Sequence, residues 1–211
     1  MTLLDAATLD VVREPLLVDA ELRGVAFTAD AATAAVFTSR GEVRLVDLAT
    51  GTVRDVDGGG LEVVTGAFAP NGDHLAVASR DGRVAFVDVR NGDLRSAPTA
   101  AHSGEVTSLS FDAGGTWLVT SGDDGVVAVW NAVNGVLLDA VATPAFDRGV
   151  SATFIGDTSE LLIVDATGQT YRWDLGTDAM VEHACAVVGR RLDEQEWQRF
   201  FGDVPRRATC P

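Results

Sequence analysis

His102 and Ser103 stand next to each other, and an imidazole beside a hydroxyl is the beginning of a nucleophilic pair. The pair goes no further: no Gly-x-Ser-x-Gly elbow presents a serine, and no third partner stands at a recognisable spacing. All sixteen basic residues are arginine, so there is no lysine for a Schiff base or a phosphate-binding loop. Asp55-Val56-Asp57-Gly58-Gly59-Gly60 offers two carboxylates on a glycine-rich loop, but lacks the spaced third acid and closing glutamate of a calcium loop. It also lacks the third glycine and opening helix of a dinucleotide fingerprint, and reads as a solvated turn. Cys185 and Cys210, with His183 nearby, leave three readings open: two reduced, partly buried thiols, a disulfide fastening the tail, or part of a metal site. No catalytic, cofactor-binding or metal residue is assigned, no cofactor is expected, and the protein is read as not an enzyme.

The elements that must position these residues belong to a chain of 211 residues, 46% hydrophobic, enough for one well-cored domain or two small ones. Sixteen basic against thirty-one acidic residues give a net charge of -15, which repels a phosphate backbone or an anionic leaflet at long range. A nucleic-acid or membrane-surface role is therefore not expected. No apolar run approaches the roughly 18 to 20 residues that cross a bilayer, and the first basic residue is Arg13, so the charged start of a secretory signal is missing. The expectation is a soluble, cytoplasmic chain.

Self-similarity organises the sequence. Phe27, Phe68, Phe111 and Phe154 recur at spacings of 41, 43 and 43; so do Gly41, Gly82, Gly125 and Gly168, and Asp47, Asp88, Asn131 and Asp174. Period-two alternation inside each unit, as in Val106 to Phe111, Trp117 to Thr120 and Val126 to Trp130, predicts three short strands. Asn71-Gly72 and Gly114-Gly115 separate the first from the second, and Asp81-Gly82 and Asp124-Gly125 the second from the third. A fourth strand is predicted after Thr50-Gly51, Asn91-Gly92 and Asn134-Gly135, at Thr52 to Val56, Asp93 to Ser96 and Val136 to Ala142. Four antiparallel strands per unit, recurring at this interval, describe the blade of a propeller.

The residues resemble the WD40 family. Ala101-His102 stands where that family has Gly-His, and Trp130-Asn131 and Trp173-Asp174 where it has Trp-Asp; Val46-Asp47 and Val87-Asp88 are reduced forms. The resemblance implies that His102, Thr120, Asp124 and Trp130 form the family's structural hydrogen-bond chain, with Thr in place of Ser. The other units lack that histidine. Ala184-Cys185, Gly189-Arg190, Leu192, Glu196-Trp197 and Arg207-Ala208-Thr209-Cys210-Pro211 look like the tail that follows WD40 repeats in large bacterial signal-transduction NTPases of the STAND type.

The expected architecture is all-β: a WD40-like β-propeller over 1–177, with a partial blade at 1–22, repeats at 23–63, 64–105, 106–149 and 150–177, and a helical tail at 178–211. Leu3 to Asp10 aligns with Leu45 to Thr52, placing the start of the sequence on a third strand. The expectation is the C-terminal part of a longer propeller in a larger signalling protein; alternatively the ring closes with four or five blades, the strand around Leu9 to Val12 filling the last one, while an open ring has edges that favour a homodimer. Asp178 caps a predicted helix with Met180, Val181, Ala184, Cys185 and Val188 on one face, ended by Gly189; a second starts at Asp193, with Trp197 packing it onto the last blade. The repeat gathers Arg23, Arg40, Arg80, Asp81, Asp123 and Arg148 on one rim, a candidate surface for a protein partner or for the remaining domains of a larger chain. The function read from this is a non-catalytic interaction or regulatory sensor module, a scaffold in signal transduction. The alternative is a small-molecule-binding or enzymatic propeller that uses its axial channel.

Overall fold

A computed structural model describes residues 7–11, 21–143 and 149–176. Among the described residues, fifteen strands form four antiparallel sheets. The first holds β1 (Leu22–Phe27), β2 (Thr33–Thr38), β3 (Val43–Asp47) and β4 (Val53–Val56). The second holds β5 (Val63–Phe68), β6 (His74–Ser79), β7 (Arg83–Asp88) and β8 (Thr99–Ala100). The third holds β9 (Val106–Phe111), β10 (Trp117–Gly122), β11 (Val126–Asn131) and β12 (Val136–Ala142). In the fourth, β13 (Val150–Phe154), β14 (Glu160–Asp165) and β15 (Thr170–Asp174) follow in order, three strands among the described residues. The protein is all-β, and each sheet is a meander in sequence order, as a propeller blade requires.

Hairpin geometry sets the repeat. The glycine between the second and third strand of every blade adopts positive φ: Gly41 at 79°, Gly82 at 83°, Gly125 at 75° and Gly168 at 82°. An L side chain resists that conformation, which is why this column holds only glycine.

Alternation then gives each blade two apolar faces, and the core lies between blades rather than within one. Phe37 and Leu45 of the first blade pack with Val63, Phe68, Leu75 and Val77 of the second. Ala76, Ala78 and Phe86 of the second pack with Leu118 and Trp130 of the third. Val119, Val127 and Val129 of the third pack with Val150, Phe154, Leu161 and Ile163 of the fourth. A single sheet this small buries too little to stand alone, so each blade depends on its neighbours. The inner strands β1, β5, β9 and β13 touch in succession, and no comparable packing joins β13 back to β1. Phe68 and Phe154 are 9% exposed, but Phe27, in the same column, is 48% exposed because no earlier blade among the described residues covers it.

One predicted strand differs. The outer strand expected at Asp93 to Ser96 is reduced to a single bridge, Val87 to Leu94, and pairing resumes only at β8. Pro98, which has no N–H to donate, stands between the two. The predicted helices from Asp178 and Asp193 lie outside the described residues.

Candidate functional site

The rim carrying the second-to-third-strand turns is assembled by one backbone bond repeated three times. Ser39 donates to the Glu21 carbonyl at 2.8 Å, Arg80 to Glu62 at 3.2 Å and Asp123 to Glu105 at 3.0 Å. Beside each bond the inner strand carries a bulge: Leu22 pairs with Thr38 but Gly24 with Phe37, leaving Arg23 as the extra residue. Val64 and Thr107 are the extra residues of β5 and β9. A bulge bends its strand and re-aims a side chain, and Arg23 is accordingly exposed.

Of the other rim candidates, Arg40, Arg80, Asp81 and Asp123 are all exposed at the same end of their blades. Arg80 forms an ion pair with Glu105 at 3.5 Å, reaching from the second blade to the third. Asp81 is engaged inside its own hairpin: it accepts from Ser79 Oγ and pairs with Arg83 at 2.7 Å. The hydrogen bonds from Arg83 and Ser79 hold its carboxyl below the usual carboxylate range. The rim therefore offers Arg23 and Arg40 on the first blade, and an Arg80–Glu105 pair whose half-exposed charges are worth little as a mutual attraction and can be exchanged for a partner's. Arg148, Cys185 and Cys210 lie outside the described residues.

Behind this rim runs a buried polar chain. His102 Nδ1 lies 3.2 Å from Asp124 Oδ1, His102 Nε2 lies 2.8 Å from Thr120 Oγ1, and Trp130 Nε1 donates to Thr120 Oγ1 at 3.1 Å. The carboxylate can only accept, so Nδ1 carries the proton of a neutral imidazole, Nε2 accepts from the Thr120 hydroxyl, and Thr120 in turn accepts from Trp130. Burial pushes the His102 pKa down, more than the hydrogen bond and charge of Asp124 raise it. Burial raises the Asp124 carboxyl, but bonds from the backbone of Ser103 and Val126 and from His102 outweigh it, and the net shift is downward. The Ser103 hydroxyl also points at Asp124, at 3.3 Å from Oδ2. Every member of the chain is thus engaged in holding the connection from β8 to β9 against the β10–β11 hairpin.

Three residues were not singled out by sequence reasoning. Arg95 donates to the Val133 carbonyl at 3.1 Å, and Arg54 donates to the carbonyls of Val89 and Arg90, so each ties its own blade to the next blade's third-to-fourth-strand turn. They stand 41 residues apart, one repeat, and that shared column was the available signal. His74 is buried between Phe86 and Phe111, and its Nε2 has no hydrogen-bond partner.

The family described as "WD domain, G-beta repeat" matches residues 48–88 and 96–131. These two segments are similar to WD40 repeats. Among curated relatives, a U3 small nucleolar RNA-associated protein 21 homolog of Schizosaccharomyces pombe is 28% identical over 154 residues, 73% of this chain and 16% of its own length. Ribosome biogenesis protein erb1 of Aspergillus clavatus is 45% identical over 146 residues, 56% of this chain and 18% of its own length. Transducin beta-like protein 3 of Rattus norvegicus is 36% identical over 95 residues, 44% of this chain and 12% of its own length. The chain thus spans less than a fifth of these three relatives. Among solved structures, the computationally designed Ika4 protein superposes with a TM-score of 0.62 at 20% identity, covering 76% of this chain and 94% of Ika4. That likeness concerns the fold, a WD40-like β-propeller.

The blades therefore present loops on a set of mutually packed sheets, the arrangement of a protein-interaction repeat module. Among the described residues no group of three or more His, Cys, Asp or Glu side chains could hold a metal ion. A polar cleft of about 290 Å³ lies between the turns after β1 and β5, lined by Thr28, Asp30, Asn71 and Asp73. Its Asp30 carboxylate already accepts from Thr28 Oγ1 at 2.6 Å and from the Ala32 N–H at 2.9 Å.

Proposed function

We propose that these WD40 repeats form a non-catalytic docking module whose partner surface is the rim bearing Arg23, Arg40 and Arg80, in a larger cytoplasmic signalling protein. One observation carries the reading: the repeated backbone bond from Ser39, Arg80 and Asp123 fixes three consecutive turns beside the inner strands, and the Arg23 bulge points outward there. Arginines on backbone turns fixed before the partner arrives are effective contact anchors. The net charge of -15 makes these cations stand out against an acidic background, which favours a partner with acidic side chains at its contact. The signalling context rests on the sequence pattern from Ala184 to Pro211, similar to the tail of STAND-type NTPases. Ribosome biogenesis appears in the names of relatives; the acidic balance of this chain argues for a protein rather than an RNA at its own rim.

The test is crosslinking with mass spectrometry in lysate of the native host, comparing the parent with Arg23→Glu/Arg40→Glu/Arg80→Glu. Loss of a specific crosslinked protein at unchanged thermal stability supports the rim. Retention of the same crosslinks sinks it.

A further inference from the structure

The outer strand of the third blade departs from its counterparts in length and chemistry. β12 runs for seven residues, whereas β4 has four and β8 two. Offsets of 41 and 43 residues set Thr52, Asp93 and Val136 in one repeat column, and Arg54, Arg95 and Leu138 in another. Where the earlier blades carry polar or charged residues, the third carries apolar ones, and these are not buried: Val136 and Leu138 are each 49% exposed. Arg54 and Arg95 use this column to tie their blades to the next turn, while Leu138 meets solvent. Apolar side chains left outside a blade that the repeat does not require there mark a contact surface.

The backbone of this strand has an outward side too. Among the described residues β12 ends the strand order of its sheet, pairing with β11. Thr143 donates to the Gly125 carbonyl at 2.9 Å, and pairing runs without a break from there through Val126–Ala142 to Ala128–Ala140. Residues of an antiparallel pair alternate between facing the partner and facing away, so Ala140 and Ala142 turn their N–H and C=O outward. The Ala140 N–H is held by the adjacent Asp139 Oδ1 at 2.8 Å, and both residues are exposed. A side chain thus takes the donor that the carbonyl of a neighbouring strand would otherwise accept from. The break in register between Val129 and Trp130 leaves Leu138 as an extra residue, so the regular edge begins at Asp139. Shortness protects the other two outer edges: β4 carries Arg54 and Asp55 within its four residues, and the two of β8 follow Pro98.

We propose that the outer edge of the third blade is a second docking surface, which takes an extended segment of another protein as an added strand along Asp139–Ala142. That segment is apolar at alternate positions and carries a lysine or arginine opposite Asp139. Its backbone carbonyl accepts the Ala140 N–H, its cation takes the carboxylate released from that bond, and its apolar side chains cover Leu138 and Val136. Charge decides between this occupant and a second copy of the chain. Asp139 is the central residue of β12, so full antiparallel pairing of two copies sets carboxylate against carboxylate, and each copy carries a net charge of -15. A basic residue on a different strand turns the same position from repulsive to attractive.

The test is fluorescence anisotropy with the full-length chain and a fluorescein-labelled peptide of alternating valine and threonine around one central lysine. The parent should bind this peptide roughly fivefold or more tightly than its glutamate counterpart, the margin between an attractive and a repulsive cross-strand charge pair. Asp139→Lys reverses the preference. N-methylation of alternate peptide residues, which removes the N–H groups along the pairing edge, abolishes binding to the parent. The three peptides on the parent keep the test decisive if a variant disturbs folding. A lysine preference that survives in Asp139→Lys overturns the inference, as does undiminished binding of the N-methylated peptide, or no binding of the lysine peptide below about 1 mM. The rim variant Arg23→Glu/Arg40→Glu/Arg80→Glu should still bind; loss there would place the peptide on the rim and also overturns the assignment. A sedimenting parent dimer that Leu138→Lys dissociates gives the edge to a second copy and overturns it equally.

Discussion

Arg95 reaches from the second blade to the third and donates to the carbonyl of Val133 at 3.1 Å. One repeat earlier Arg54 makes the same crossing to Val89 and Arg90, so the outer ends of adjacent blades are tied by guanidinium groups capping turn carbonyls. Replacing Arg95 with Met keeps most of the stem's packing and removes the donors. Because the contact is exposed, the expected loss is about 1 kcal/mol in urea unfolding, and Arg54→Met should add a similar amount. A change below about 0.3 kcal/mol in the double variant would show that the crossings are incidental to stability.

Thr120 is the hinge of the buried polar chain. Thr120→Val keeps the shape but removes the donor to His102 and the acceptor for Trp130, leaving two buried nitrogens unpaired. The expected cost is about 2 to 4 kcal/mol, read as a lowered urea midpoint at an unchanged slope. A near-neutral result would mean that water or a side-chain shift satisfies both nitrogens.

Gly82 and Gly168 share a repeat column and a backbone conformation, φ 83° and 82°, but not a neighbourhood. A Cβ on Gly82 would lie 2.0 Å from the His102 carbonyl oxygen, whereas one on Gly168 meets nothing within 4 Å. Gly168→Ala should cost only the conformational term, about 1 to 2 kcal/mol. Gly82→Ala adds a backbone clash and should exceed it by at least about 2 kcal/mol, since the His102 segment must move. Equal losses would contradict the close approach.

Acid should loosen the boundary between the second and third blades. Burial is the first cause lowering the His74 pKa, helped by Arg95 and opposed by Asp73 and Asp88; burial likewise lowers His102. A histidine depressed in the folded state binds its proton more readily when unfolded. The stability it contributes is therefore complete above the ordinary value of 6.5 and declines as pH falls through 6.5 toward the depressed folded value. Urea midpoints between pH 7.5 and 5 should decline, and His74→Phe, which suits the aromatic site beside Phe86 and Phe111, should flatten part of the slope. A parallel decline in the variant would exclude His74 as a source.

Much of the architecture was legible because it is repetitive. The Phe, Gly and Asp columns located the strands and turns, since positive φ and period-two burial each admit few residue types. The outer strand of the second blade was misplaced because Asn91-Gly92 signals a turn, while Pro98 and the single Leu94 bridge decide where pairing resumes. The His102, Thr120, Asp124 and Trp130 set could be named from the family pattern, but the direction of its protons required the distances. Arg54 and Arg95 went unnoticed because an exposed arginine looks the same whether it meets solvent or a carbonyl of the next blade.

What the sequence determined by itself is the unit: its length, its hairpins and the two apolar faces of each sheet, all consequences of local sterics and alternation. The tertiary structure decided how the units use one another. Phe27 is exposed while Phe68 and Phe154 are covered, and Asp81 is engaged by Ser79 and Arg83 within its own hairpin while Arg23 is pushed out by a bulge. Identical residues in one repeat column have the same local preferences, but burial is a property of what lies across the gap, and that depends on where in the array each blade stands.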